Sequence, residues 1–246
     1  MGINNKTMHR GCQSVFDTNG ETLFLGEWDP LALFEAISDN EVTYWEGRRV
    51  LDIGANTAGL SLEIARRGAS VVALEPDPYL NSRSMTLNLI NQLANEEGLS
   101  ISCEKAGLFD AHQFGNFDTV LCLGLIYHFR DPQYCLDYLS TMRMQHLIVS
   151  CQTEPGEELI LHNRRGLGSL PKDFFPESTI LTGWHPTRPL FERMLQWAGF
   201  TDIRALTDPT YNFPQKPSGL TNSAYYKATQ AKSTYPGINR QLYYPR

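Results

Sequence analysis

The 246 residues, 41% of them hydrophobic, suffice for one ordinary core with appendages. The net charge of −6 comes without any run of Lys or Arg, which argues against nucleic acid as a partner, because phosphate contacts need clustered cations. No stretch reaches the roughly 18 apolar residues of a membrane span, no apolar leader opens the chain, and Cys12, Cys103, Cys122, Cys135 and Cys151 lack CxxC spacing; a cytoplasmic chain with reduced thiols, no disulfide framework and no metal site is expected.

Residues 1–27 are polar and glycine-punctuated, with Phe16, Leu23, Phe24 and Leu25 as their only apolar cluster, so irregular structure docked on the body is expected. Asp29-Pro30 reads as an N-cap followed by proline at the first helical position. Leu31, Phe34, Ile37, Val42 and Trp45 then carry apolar spacing towards the first core strand. Residues 1–46 thus form an N-terminal cap segment, which covers either the mouth of a cleft or only a sheet edge.

Val50 to Glu75 is the stretch on which the rest depends. Val50, Leu51 and Ile53 give a short buried strand, Gly54-Ala55-Asn56-Thr57-Ala58-Gly59 a tight turn, and Leu60, Leu62, Ile64 and Ala65 one face of a helix. Gly68 stops that helix, and Val71 to Leu74 form a second strand ending at Glu75. This is half of a doubly wound nucleotide-binding unit. A dinucleotide site wants a second glycine where Asn56 stands, and Asp52, two residues before Gly54, puts negative charge where a phosphate would meet it. A ligand with a ribose and a cationic amino-acid end fits better: Glu75 accepts from the ribose hydroxyls and Asp52 favours an ammonium or sulfonium. S-adenosyl-L-methionine has these parts.

Pro76-Asp77-Pro78 gives a second cap and proline, starting a helix through Leu80, Met85, Leu87, Leu89, Ile90 and Leu93 that ends at Gly98. Leu99 to Cys103 alternates as a strand, and Lys105 to Asp110 follows as a loop. Phe117 to Leu123 is the next central strand, with the cleft beyond its C-terminal end, where Gly124 to Arg130 stand before an Asp131-Pro132 helix start. That helix leads to the strand His146 to Cys151. Gln152 to Pro186 has no long period; an insertion longer than about 15 residues is functional or disordered, and this one reads as a substrate cover. Thr187 to Ala198 is a helix with Leu190, Phe191, Met194, Leu195 and Trp197 on its apolar face. Phe200 to Leu206 and Asn222 to Ala228 are the last strands, joined by a proline-rich loop over 207–219. The tyrosine-rich tail over 230–246 either extends across a partner subunit of a homo-oligomer or wanders.

In the order and spacing of Asp52, Gly54 and Glu75 the chain resembles the class I, Rossmann-like methyltransferases, whose first motif is D-x-G-x-G-x-G and whose second strand ends in an acidic ribose ligand. Asn56 and Ala58 depart from the second and third glycines, although Asn tolerates left-handed backbone angles. The resemblance implies an α/β fold over residues 47–229: a doubly wound, seven-stranded, mostly parallel sheet with helices on both faces and an antiparallel last strand. It implies that Asp52, Gly54, Asn56, Gly59, Glu75, Pro76 and Leu123 meet the cofactor, and that Leu108 and Phe109 either pack on its adenine or anchor their own loop. Gly124-Leu125-Ile126-Tyr127-His128-Phe129-Arg130-Asp131-Pro132 is similar to the fourth motif of a subgroup containing the tRNA wobble-uridine carboxymethyltransferases.

Methyl transfer from a sulfonium is an in-line displacement in which the protein aligns the nucleophile, excludes water and in some cases removes a proton. His128 is the best base candidate, its alternative being a structural histidine. Tyr127 orients substrate, closes over the donor or simply packs, and Arg130 attracts an anionic group or pairs at the surface. Arg164, Trp184, His185 and Arg188 line an acceptor pocket or belong to ordinary surface. The expected activity is transfer of a methyl group to oxygen, nitrogen or carbon of a small molecule. The alternatives are a tRNA wobble-uridine enzyme using carboxy-S-adenosylmethionine and a non-catalytic donor-binding scaffold.

Overall fold

The computed structural model describes residues 7–38, 43–76, 81–129, 131–165, 182–206 and 223–231. In chain order the elements are β1 (His9–Gln13), β2 (Val15–Phe16), β3 (Thr22–Phe24), β4 (Gly26–Trp28), α1 (Pro30–Ser38), β5 (Arg49–Ile53), α2 (Gly59–Arg66), β6 (Ser70–Leu74), α3 (Asn81–Glu97), β7 (Ile101–Glu104), β8 (Thr119–Cys122), α4 (Pro132–Leu139), β9 (His146–Gln152), β10 (Leu161–Arg165), β11 (Thr182–Pro186), α5 (Arg188–Trp197), β12 (Phe200–Leu206) and β13 (Ser223–Gln230).

The main sheet has seven strands in the order β12-β13-β9-β8-β5-β6-β7. β5 to β9 run parallel, whereas β13 is antiparallel to both β9 and β12. The strand order reverses between β5 and β8, and a doubly wound sheet opens its ligand crevice at the carboxyl ends of the strands flanking such a reversal.

The central strands are apolar on both sides because helices cover both faces. Leu51 and Ile53 of β5, Val120 of β8 and Val149 of β9 join Leu136, Leu139 and Leu195 of α4 and α5 in one cluster. Val50, Leu121 and Ile148 turn the other way, onto Leu33, Leu60 and Ile64 of α1 and α2. Helix starts follow the sequence: Asp29 Oδ1 accepts from the Leu31 N–H at 2.8 Å, and Asp131 Oδ1 from the Tyr134 N–H at 3.0 Å.

Two expectations are corrected. Residues 9–28 are not irregular: β1 pairs in parallel with β4, and β2 in antiparallel with β3. These strands are two to five residues long, and their apolar side chains Cys12, Val15 and Phe24 are buried against Ala55, Ala58 and Leu62 around the turn after β5, so their order comes from docking and not from a local period. Trp197 is 61% exposed. It lies at the margin of the stripe made by Phe191, Met194, Leu195 and Ala198, where a helix's buried face gives way to solvent.

Within residues 152–186, β10 and β11 form an antiparallel ladder. The Asp77-Pro78 helix start, Arg130, the 207–219 loop and the tail beyond Ala231 lie outside the described residues. No helix among the described residues is long and apolar enough to cross a membrane.

Candidate active site

After β5 the chain turns sharply across the end of β6. Gly54, at φ +73°, and Ala55 both donate their N–H to the Leu74 carbonyl at 2.9 Å. Asn56 and Ala58 take left-handed angles, φ 61° and 57°, in the turn where the resembled motif has glycines. Glu75, only 7% exposed, closes the turn from β6, with Oε2 accepting the Asn56 N–H at 2.8 Å.

The side chain of Asn56 explains the departure from glycine. Its Nδ2 donates to the Gly11 carbonyl at 2.7 Å, while Oδ1 accepts from the N–H of Gln13 at 3.2 Å and of Thr57 at 2.8 Å. Thr57 Oγ1 donates to the Gln13 carbonyl at 2.7 Å, and Gln13 Oε1 accepts the Leu60 N–H at 2.8 Å. Ala58, the residue before α2, has no side-chain cap to offer, so an orphan amide of the helix start is satisfied by Gln13 of β1. The turn and β1 are one hydrogen-bonded unit. Replacing Asn56 by glycine relieves the left-handed angle but removes both bonds to β1. The expected result is faster hydrogen exchange at Gly11 to Gln13, corresponding to a local loss of about 1–2 kcal/mol; unchanged protection there would contradict the latch.

Asp52 is 3% exposed and lies beneath α2, with Oδ2 accepting the Ser61 hydroxyl at 2.6 Å. Burial raises its pKa from 3.8 to about 6, opposed by the Ser61 hydrogen bond and assisted by the negative charge of Glu75. Its carboxylate thus lies buried under the turn, held by α2. Asp52 and Glu75 together give the turn a negative field.

At the end of β8, Leu123 is half-buried against the α1–α2 cluster. Gly124, at φ +64°, donates its N–H to Ser150 Oγ at 2.8 Å. A 3₁₀ turn over Ile126–His128 then presents Tyr127 and His128, ring centroids 4.2 Å apart, with Tyr127 half-buried and His128 exposed. Burial pushes the Tyr127 phenol well above its ordinary range. On the other side, Leu108 turns into the core at 3% exposure, while Phe109, 40% exposed, joins Phe129, Tyr134 and Tyr138 at centroid distances of 5.7, 5.4 and 5.1 Å. Pro76 is exposed beside Gly107, where an added Cβ would lie 3.6 Å from the proline ring.

Trp184 and His185 sit half-buried on β11, opposite Asn163 and His162 of β10. His185 Nδ1 lies 3.2 Å from Glu154 Oε1, and its ring meets that of Tyr127 at 5.6 Å and 88°. Arg188, the exposed first residue of α5, reaches the Ser223 carbonyl at 3.4 Å. A cavity of about 480 Å³ opens beside them, bounded by Thr153 to Glu157, Arg188, Pro189 and Glu192. Arg164 falls on β10, across from Gly183. The structure thus gathers Tyr127, His128 and His185 at one end of β8, and the turn residues with Glu75 at the ends of β5 and β6. Gln13 and Glu154 had no signal in the sequence, since neither stands in a motif and each acts across at least 31 positions of chain. Among the described residues no group of His, Cys, Asp and Glu has metal-binding geometry.

Comparison with known proteins gives a match of residues 25–205 to the family described as methyltransferase domain. A tRNA U34 carboxymethyltransferase of Syntrophotalea carbinolica is 28% identical over 167 residues, covering 65% of this chain and 47% of that protein. The chain spans about half the length of the curated relatives it matches first. Among solved structures, the N-terminal domain of EvdMO1 with SAH and D-fucose superposes with a TM-score of 0.59 at 20% identity, over 89% of this chain and 91% of the other. A Burkholderia thailandensis 1,6-didemethyltoxoflavin-N1-methyltransferase, solved with bound 1,6-didemethyltoxoflavin and S-adenosylhomocysteine, gives a TM-score of 0.57 at 15% identity over 82% of this chain and 79% of the other.

Proposed function

From the premise that this chain belongs to the methyltransferase domain family, we propose that it transfers a methyl group from S-adenosyl-L-methionine to a small-molecule acceptor in the cytoplasm. The observation that carries the reading is Glu75: a nearly buried carboxylate at the end of β6, one oxygen bracing the turn after β5, at the point where the strand order reverses. A carboxylate there suits the paired hydroxyls of a ribose, and the backbone of Gly54 to Gly59 suits the amino-acid end. Pro76 and Phe109 flank the adenine side in this reading, and Leu108 supports it from the core. Tyr127 and His128 face the reacting end, with Trp184, His185 and Arg188 on the acceptor side; Arg130 and Arg164 complete the assignment from sequence alone. When bound, the donor supplies an already activated methyl group. The chain's task is to hold the nucleophile in line, keep water out and accept any proton released.

Isothermal titration of the full chain with S-adenosylmethionine and S-adenosylhomocysteine tests the reading. Wild type should bind both, and Glu75→Ala should weaken both at least about tenfold, as expected for losing a charged hydrogen-bond acceptor. Glu75→Gln, which preserves size, separates that loss from disturbance of the turn. Wild type that is folded yet binds neither would sink the proposal.

A second reading has support of its own in the matches to tRNA U34 carboxymethyltransferases. The net charge of −6 weighs against it. Retention of tRNA that falls steeply with salt would favour it, because counterion release accompanies phosphate contacts; absence of retention at low salt would remove it.

A further inference from the structure

The run Glu157-Glu158-Leu159-Ile160-Leu161-His162-Asn163-Arg164-Arg165 is acidic at one end, basic at the other and mostly apolar between. Written against its own reverse it is complementary: Glu157 falls opposite Arg165, Glu158 opposite Arg164, and Leu161 opposite itself. The structure puts this run on an edge. β10 begins at Leu161 and pairs, among the described residues, with β11 alone. Leu159, Ile160 and Leu161 are 55%, 38% and 36% exposed. Successive large apolar residues in water, beside an open strand, mark an edge that natural sheets cover.

The hydrogen-bond phase of the ladder decides which backbone groups face outward. Thr187 donates its N–H to the Ile160 carbonyl at 2.9 Å, so Ile160, and by alternation His162 and Arg164, turn their backbone groups to β11. Leu161 lies opposite Pro186, which has no N–H to give. The N–H and C=O of Leu161 and Asn163 therefore point away from β11, towards the place of a further strand.

We propose that a second copy of this chain docks on this edge, β10 against β10 in antiparallel across a two-fold axis at Leu161, so that the two ladders join into one sheet in the order β11-β10-β10-β11. At the axis the two Leu161 residues exchange a pair of backbone hydrogen bonds, and Leu159 falls opposite Asn163 of the second copy. Ile160 meets His162 of the second copy. The acidic pair, in the bend before β10, meets the basic pair at the end of the other strand. An axis at Asn163, the next outward position, would set Leu161 against Arg165 and His162 against Arg164, and would leave both glutamates unmatched. In-register parallel pairing would bring like charges together. Charge and polarity thus choose the antiparallel register centred on Leu161. The contact is isologous, so it closes on two copies and does not propagate. It also ties together the two β11 strands that carry Trp184 and His185.

Sedimentation velocity of the full chain from about 1 to about 100 µM tests the proposal. Wild type should pass from monomer to dimer with a dissociation constant on the order of 10 µM, as suits an interface at the small end of the specific range. Leu161→Lys sets two ammonium groups against each other at the axis and should weaken the dimer at least about tenfold. Glu158→Arg and Arg164→Glu should each do the same, since the two-fold counts every like-charge pair twice. An equimolar mixture of those two single variants, and the double variant alone, should each recover wild-type association. That recovery distinguishes pairing in this register from damage to the fold. Wild type that stays monomeric at about 100 µM, a dimer indifferent to Leu161→Lys, single reversals rescued neither by mixing nor by combination, or growth beyond the dimer would each overturn the proposal.

Discussion

Gly59→Ala is expected to lower stability by about 3 kcal/mol and to detach β1 from the turn. The glycine has no unusual φ, so the cost is steric alone: its missing Cβ would occupy the place of the Ser14 carbonyl oxygen. That oxygen belongs to backbone and cannot swing aside. Ser14 donates its N–H to the Trp28 carbonyl at 2.8 Å, and its Oγ accepts the Gly26 N–H at 3.0 Å. The strand must therefore lift as a unit, giving up the bonds of Asn56, Thr57 and Leu60 to Gly11 and Gln13. Urea denaturation measures the loss, and hydrogen exchange over residues 9–13 locates it. A variant of wild-type stability would mean that β1 does not lie on α2 in solution.

The second large effect is electrostatic. Asp52 ionises at about 6 in the folded chain and at 3.8 in a model peptide. The native state thus holds this proton more tightly, so the contribution of Asp52 to stability is fully present below 3.8 and is lost as pH rises through about 6. Once the group is ionised the cost is about 3 kcal/mol, taking roughly 1.4 kcal/mol for each tenfold change in proton affinity. Asp52→Asn does not titrate. The stability of wild type minus that of the variant should therefore fall by about 3 kcal/mol between about pH 3 and about pH 7, read by urea denaturation at several pH values. A difference independent of pH would place the ionisation of Asp52 outside this range.

The strand-turn-helix-strand unit from β5 to β6 was legible because its signals are local. The apolar run of β5, the glycines at 54 and 59 and the acidic residue ending β6 sit within one short stretch, and each reports on its own neighbourhood. The sheet order followed from that unit together with the remaining apolar runs. The N-terminal ladders were illegible for the opposite reason. β1 is ordered by β4 and by Asn56, neither adjacent in sequence, and its apolar content is too thin to form a period. Asn56 read as a departure from a glycine motif, whereas its amide has a task of its own on both sides of the turn. Asp52 stood at the right place in the chain, but which way its side chain points depends on burial against Ser61, which spacing does not encode. Glu154 and His185 are joined only by the return of β11 to the end of β9, so the pair had no sequence signature at all. Trp197 looked apolar in face because a helical period takes no account of where the stripe meets water.

The antiparallel strand β13 lies between β9 and β12, although it is made last of the three. While the chain is being synthesised, β7, β6, β5 and β8 can pair as soon as residue 122 has left the ribosome, and β9 joins them by residue 152. β12 then has to wait without a sheet partner until Ser223 to Gln230 arrive. During that interval the growing edge of the sheet is β9, an apolar strand with open backbone groups, the kind of edge on which two chains can pair wrongly. Nascent chains stalled before residue 223 should accordingly need a holding chaperone, whereas chains released after β13 should not.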